Sequence, residues 1–105
     1  MDKTTIKEII GFLKEALINH GVRLDSIALF GSAITGKMNQ DSDIDIIIIS
    51  PDFRNKDMFE RSEITMIPEI QTMKKFKVPM DILNLTPEEY ADTKTKRFYR
   101  SKIVA

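Results

Sequence analysis

The sequence predicts an α/β or α+β fold, in which helices pack on a small sheet. Three short apolar runs, residues 26–30, 44–49 and 80–85, alternate with segments that have the hydrophobic spacing of helices. Each run is followed within two residues by glycine or proline, which end strands. At 105 residues the chain is expected to form one domain, residues 1–105.

The first helix is predicted over residues 6–20. Thr5 and Glu8 have the spacing of a capping box, and Gly21 can adopt the left-handed conformation that ends a helix. Between them, apolar residues recur with the helical period and form one stripe: Ile6, Ile9, Ile10, Leu13 and Leu17.

Two strands are predicted next, separated by a glycine turn. The first runs from Ser26 to Phe30, and residues 32–37 are expected to form a turn or a short helix. The second, residues 44–49, is isoleucine at every position except Asp45, which is typical of a strand buried on both faces.

A second long helix is predicted over residues 57–76. Pro68 lies inside it, so a kink or two shorter helices are expected. After the strand at residues 80–85, Thr86 as N-cap and Pro87 at the first helical position start another helix, and the chain from Tyr90 onward is also predicted to be helical. In the long helix the apolar face is predicted to contain Met58, Ile64, Ile67, Ile70 and Met73.

Composition excludes several classes of protein. The chain has no cysteine, so it has neither a disulfide framework nor a cysteine zinc site. The N-terminus has no secretory signal pattern, and the longest isoleucine run is too short to span a bilayer. A formal net charge of zero argues against bulk electrostatic binding to nucleic acid. We expect a cytoplasmic protein with no membrane partner and no direct nucleic-acid binding.

Charge is nevertheless uneven along the chain. A basic cluster near the C-terminus fits either a solvated helix face or a patch for an anionic partner or for phosphates. Its members are Lys94, Lys96, Arg97, Arg100 and Lys102.

The Gly31-Ser32 pair directly follows the first strand. Glycine lets another group approach the backbone closely, and unpaired N–H groups at a helix start attract anions. The pair is therefore a candidate phosphate-holding turn, although a Gly-Ser pair alone also occurs in ordinary strand-to-helix turns.

Asp43 and Asp45 are the next candidates. Alternate side chains of a strand point to the same face, so these two carboxylates are expected to stand side by side. A divalent cation would relieve their repulsion, and Mg²⁺ prefers carboxylate and phosphate oxygens. Asp81, among apolar neighbours in the third strand, could join them if the second and third strands pair. It could then ligate a metal and act as general base.

Two stretches carry a resemblance to a known family. "LFGSAITGKMNQDSDIDIIII" and the later "VPMDILNLTPEEY" resemble the minimal nucleotidyltransferase domains of the DNA polymerase β-like superfamily. The resemblance implies a polymerase β-like nucleotidyltransferase core with a small mixed sheet. It also implies that Gly31 and Ser32 hold the β- and γ-phosphates. Asp43, Asp45 and Asp81 would then form a catalytic triad that binds two Mg²⁺ ions or Mn²⁺.

One departure from the family pattern concerns the nucleotide. Family members often have a basic residue one or three positions after the Gly-Ser pair, whereas this chain has Ala33 and Thr35 there. Lys37 is the first basic residue after the pair and is assigned to nucleotide binding. The departure leaves open how tightly nucleotide is held.

The resemblance implies transfer of a nucleoside monophosphate, AMP from ATP, to a hydroxyl group. Small members are commonly paired with a helical HEPN-domain protein as antitoxin and toxin, so the acceptor can be a tyrosine of that partner. Two alternatives remain: an antitoxin that neutralises its partner by contact without catalysis, and a transferase that modifies a small molecule, as aminoglycoside nucleotidyltransferases do.

Overall fold

The computed structural model describes residues 3–31, 43–92 and 100–105. Its helices are α1 (Lys3–Asn19), α2 (Met58–Phe76) and α3 (Pro87–Ala91), and its strands are β1 (Ser26–Phe30), β2 (Ile44–Ile49), β3 (Met80–Leu85) and β4 (Lys102–Ile103). A short 3₁₀ helix, Pro51–Phe53, follows β2. The predicted α+β class and the bounds of the first three strands are confirmed.

The four strands form one mixed sheet in the order β3-β2-β1-β4. β1 is antiparallel to both β2 and β4, whereas β2 and β3 are parallel. The parallel pair needs a crossover connection, and α2 provides it. This topology places the start of β2 beside the start of β3.

The sheet packs apolar side chains on both faces. Ile44, Ile46 and Ile48 of β2 enter the larger core, which includes α1, while Ile47 and Ile49 belong to a smaller cluster on the other face with Tyr90 of α3. These five isoleucines are at most 1% exposed. Each fully buried isoleucine stabilises the fold by roughly 1.5–3 kcal/mol. The prediction that this strand is buried on both faces is confirmed.

The long helix α2 differs from its prediction in two respects. It is one continuous helix through Pro68 and not two shorter helices. Its N-terminus has a complete Asp57–Glu60 capping box. Its orientation is also unexpected, because Met58, Ile67 and Ile70 of the predicted apolar face are 54%, 45% and 40% exposed. The buried side chains of α2 are instead Arg61, Thr65, Pro68 and Thr72.

Both ends of the described chain also depart from the sequence prediction. α1 begins at Lys3, so Thr5 lies within its first turn and is not its N-cap. The chain from Tyr90 onward is predicted from the sequence to be helical. α3 ends at Ala91, residues 93–99 lie outside the described residues, and residues 102–103 pair with β1 as β4 and are not helical. Tyr90 Oη lies 2.7 Å from Ser101 Oγ and ties this terminal segment to α3.

Within the part of the chain that the structure describes, no helix combines the length and the hydrophobicity needed to cross a membrane.

Candidate functional site

Asp45 and Asp81 are direct neighbours in the sheet. They are paired residues of the parallel strands β2 and β3, whose backbones are about 4.8 Å apart, so both side chains point to the same face. That face is opposite to α1 and α2, because the alternate residues Ile44 and Ile46 point towards the helices. The sequence-based condition that the second and third strands pair is therefore met.

Asp43 immediately precedes β2 and is exposed. The charge of Asp43 acts on Asp45. Burial raises the pKa of the Asp45 carboxyl, and the negative charges of Asp81 and Asp43 raise it further. No described lysine, arginine or hydrogen-bond donor pairs with any of these three carboxylates. Among the described residues, the negative charges of these aspartates therefore have no positive partner.

Asp81 is exposed, although its neighbours in the sequence are apolar. The reason is that Met80 and Ile82 point to the core face of the sheet while Asp81 points to the other face, near the start of the strand.

The donor set suits a hard divalent cation, since it consists of oxygen ligands with net negative charge. Among residues 3–31, 43–92 and 100–105, however, no three His, Cys, Asp or Glu side chains are gathered closely enough to hold a metal ion. The metal triad therefore remains a prediction.

Gly31 lies against the Asp45 carboxylate. Phe30 pairs with Asp45 across β1 and β2, and the chain then turns at Gly31 with a φ of 64°. A Cβ atom at Gly31 would overlap an Asp45 carboxylate oxygen. The structure thus gives two reasons for glycine here, a left-handed backbone and the close approach of a candidate metal ligand.

We expect Gly31→Ala to displace the Asp45 carboxylate and to strain the backbone. The left-handed conformation should cost roughly 1–2 kcal/mol of the free energy of unfolding. Gly21→Ala is the matched control, because Gly21 also has a positive φ, of 88°, but a Cβ atom added there would meet nothing within 4 Å. Chemical denaturation and Mg²⁺ titration should show similar destabilisation in both variants but weaker metal binding in Gly31→Ala alone. Equal metal affinity in both would contradict a role for the Gly31–Asp45 contact.

Two predicted nucleotide-binding residues, Ser32 and Lys37, lie outside the described residues, as do Ala33, Thr35 and the predicted turn at residues 32–37. Most of the C-terminal basic cluster does too: Lys94, Lys96 and Arg97.

Sequence reasoning missed Arg61, a buried residue of α2 that supports the strand carrying Asp81. Its guanidinium donates to the Asn84 carbonyl of β3 at 3.0 Å and to the Glu89 carboxylate of α3 at 2.7 Å. It also donates to the Lys56 carbonyl at 2.9 Å. Arg61 therefore joins α2, β3 and α3. The positions of the apolar residues in α2 predicted a different buried face, which did not include Arg61.

Comparison with protein families shows which family has this arrangement of strands and helices. The family model described as the nucleotidyltransferase domain matches residues 6–104 of this chain. The chain belongs to this family. The match includes the glycine turn, Asp43 to Asp45 and Asp81.

Solved structures share the fold of this nucleotidyltransferase domain. A Sulfolobus solfataricus protein assigned as a nucleotidyltransferase superposes with a TM-score of 0.60 and 21% identity, over 98% of this chain and 87% of that one. Another protein assigned as a nucleotidyltransferase superposes with a TM-score of 0.54 and 27% identity, over 95% of this chain and 97% of that one. A toxin–antitoxin structure with AMP-PNP superposes with a TM-score of 0.59 and 21% identity, over 89% of this chain and 69% of that one. A search of curated proteins finds no significant match.

Proposed function

We propose that this nucleotidyltransferase domain transfers AMP from ATP to a hydroxyl group with the help of Mg²⁺. The observation that carries the proposal is the alignment of Asp45 with Asp81 on adjacent parallel strands, with Asp43 close enough to raise the Asp45 pKa. An arrangement that destabilises its own charges is expected where a cation binds.

In this proposal Asp43 and Asp45 hold the metal ions and Asp81 completes the site. Mg²⁺ there would neutralise the triphosphate and lower the pKa of the attacking hydroxyl. The acceptor oxygen forms a bond to the α-phosphorus, the bond between the α-phosphorus and the bridging oxygen breaks, and pyrophosphate leaves. In the proposal the hydroxyl proton goes to Asp81, whose exposure supports this role. Gly31 leaves the space next to Asp45 free of a side chain.

We further propose that the acceptor is a protein partner, a helical HEPN-domain toxin. The toxin–antitoxin structure with AMP-PNP that shares this fold supports a protein partner and ATP as the nucleotide. Ser32 and Lys37 are proposed to contact the triphosphate, as their positions after Gly31 suggest.

A ligand-binding measurement tests the nucleotide and metal proposal without an acceptor. A ligand at a hundred times its Kd stabilises the native state by about 2.7 kcal/mol. We expect a non-hydrolysable ATP analogue with Mg²⁺ to raise Tm, and the analogue with EDTA to raise it much less. Equal shifts with and without Mg²⁺ would contradict the metal proposal, and no shift in either case would contradict nucleotide binding.

Labelled ATP then tests the reaction. With the partner present, label on the α-phosphate should become covalently attached to protein, whereas label on the γ-phosphate should not. Transfer of the γ-label would indicate a kinase-type reaction and would contradict the proposal.

A further inference from the structure

The outward face of α2 is apolar. Phe59, Met66, Ile67 and Ile70 are 83%, 51%, 45% and 40% exposed, and they lie along one side of the helix. A surface helix normally turns such a stripe towards the core and its polar residues towards solvent. In α2 only Ile64 and Phe76 pack against the larger core, and the outward stripe lacks apolar cover within the described fold. Contiguous exposed apolar patches of this kind mark interaction surfaces.

Charged residues flank the stripe in a self-complementary order. Four residues lie along the centre of the outward face, and they are separated by four, three and four positions: Glu63, Ile67, Ile70 and Lys74. The acid is nearer the N-terminus and the base nearer the C-terminus. Neither Glu63 nor Lys74 has an ion pair among the described residues. The alternating spacing is that of the contact positions in a coiled coil.

We propose that this face binds a second copy of the chain, with the two α2 helices packed antiparallel around a two-fold axis. If the axis passes between Pro68 and Glu69, Ile67 meets the partner's Ile70 and Glu63 meets the partner's Lys74. The two-fold axis repeats each of these pairs. A parallel pairing in register would instead set Glu63 against the partner's Glu63. Charge order therefore selects the antiparallel dimer.

The helix dipole explains part of the charge order but not the stripe. Acids near an N-terminus and bases near a C-terminus stabilise any helix. The three large apolar side chains exposed between Glu63 and Lys74, which are Met66, Ile67 and Ile70, have no such explanation. Because α2 is only about 28 Å long, the dimer is expected to be weak and dependent on protein concentration.

The proposed interface is independent of the candidate nucleotide site. α2 covers one face of the sheet, and Asp45 and Asp81 point to the other. An Asp45→Asn variant should therefore dimerise like the wild type. A failure of the dimer proposal can thus be separated from a failure of the proposed chemistry.

Charge reversal measured by sedimentation velocity tests the dimer. Glu63→Lys and Lys74→Glu each place like charges together at both symmetric contacts, so each should weaken the dimer about tenfold. A mixture of the two variants should dimerise again, because one partner then carries two lysines and the other two glutamates at these contacts. Matched controls are Glu8→Lys and Lys14→Glu on the exposed side of α1, which should dimerise like the wild type.

Ile70→Asp tests the apolar part of the interface and should abolish the dimer without loss of folding, since the side chain is 40% exposed. Failure of the mixture to restore association would overturn the antiparallel arrangement. A wild-type protein that stays monomeric up to millimolar concentration would overturn the proposal, even if the stripe then bound a different protein.

Discussion

Asp45→Asn is expected to abolish Mg²⁺-dependent nucleotidyl transfer and, at the same time, to make the free protein slightly more stable. Loss of a group that only orients a metal ligand lowers metal affinity or activity about 10- to 100-fold. Loss of the ligand itself should therefore lower the transfer activity at least about 100-fold. Stability should rise because the substitution removes a carboxylate that is partly buried and repelled by Asp81 and Asp43. The gain should be about 0.5 kcal/mol, because solvent screens these exposed charges.

The pH dependence of this stability difference follows from the sign of the pKa shift. The pKa of Asp45 is raised by burial and by the neighbouring carboxylates, so the folded state binds its proton more tightly than the unfolded state does. The wild type therefore loses stability relative to Asp45→Asn as pH rises from the ordinary aspartate value of 3.8 through the raised pKa. Denaturation curves should coincide more closely at pH 3 than at pH 7. A constant difference at both pH values would contradict the electrostatic explanation.

Glu15→Gln on α1 provides a matched control for Asp45→Asn. It also replaces an exposed carboxylate by an amide, but on the helix-covered side of the molecule. We expect no change in Mg²⁺-dependent transfer. An Asp45→Asn protein that kept wild-type transfer would show that Asp45 is not a metal ligand.

Arg61→Ala is expected to reduce the free energy of unfolding by about 3 kcal/mol. The Arg61 side chain is 10% exposed and hydrogen-bonds two backbone carbonyls as well as Glu89. It also lies over the Phe53 ring, 6.0 Å from the centroid. Truncation would leave the Asn84 carbonyl, in a buried residue, without this donor and would remove a link between three elements.

Arg54→Ala is the control for Arg61→Ala. Arg54 also pairs with a glutamate of α3, Glu88, but the two side chains are 51% and 61% exposed. An ion pair between side chains this exposed contributes little to the free energy of unfolding, because solvent screens it. Urea denaturation of the two variants should therefore differ clearly. Similar losses would show that the Arg61 network does not stabilise the link between α2, β3 and α3.

Acid should weaken the Arg61 network. Partial burial acts to raise the pKa of Glu89, but hydrogen bonds from Arg61 and from the Thr86 backbone lower it on balance. The stabilisation by Glu89 is therefore present above the ordinary glutamate value of 4.5 and is lost as pH falls through the lowered pKa. Consequently, Arg61→Ala should reduce the free energy of unfolding by less at pH 3 than at pH 7.

The sequence by itself predicted the strands and the candidate acids because their signals are local. A run of isoleucines interrupted only by Asp45 is compatible with few structures other than a buried strand. Alternation within a strand then places Asp43 and Asp45 on one side. Thr86, Pro87 and Glu89 likewise specify a helix start through contacts within four residues, and the structure contains that capping box.

Only the tertiary structure decided which face of α2 is buried. Helical periodicity shows which residues share a face, but it does not show which face meets the core. Two partners distant in sequence, Asn84 and Glu89, determine the orientation here. Arg61 bonds with both, and Thr65 bonds with Asn84. Buried polar groups are stable where they find hydrogen-bond partners, and in this orientation Arg61 and Thr65 find theirs on β3 and α3. The apolar residues Ile67 and Ile70 are consequently left on the outside.

The adjacency of Asp45 and Asp81 was also decided by the tertiary structure. The two residues are far apart in the chain, and their alignment requires β2 and β3 to be parallel and in the observed register. A shift of one residue would have turned Asp81 to the helix-covered face. β4 is a similar case: its two residues form a strand only because β1 offers them an unpaired edge. Such pairings depend on backbone groups, which every residue has, so the side-chain pattern alone does not reveal them.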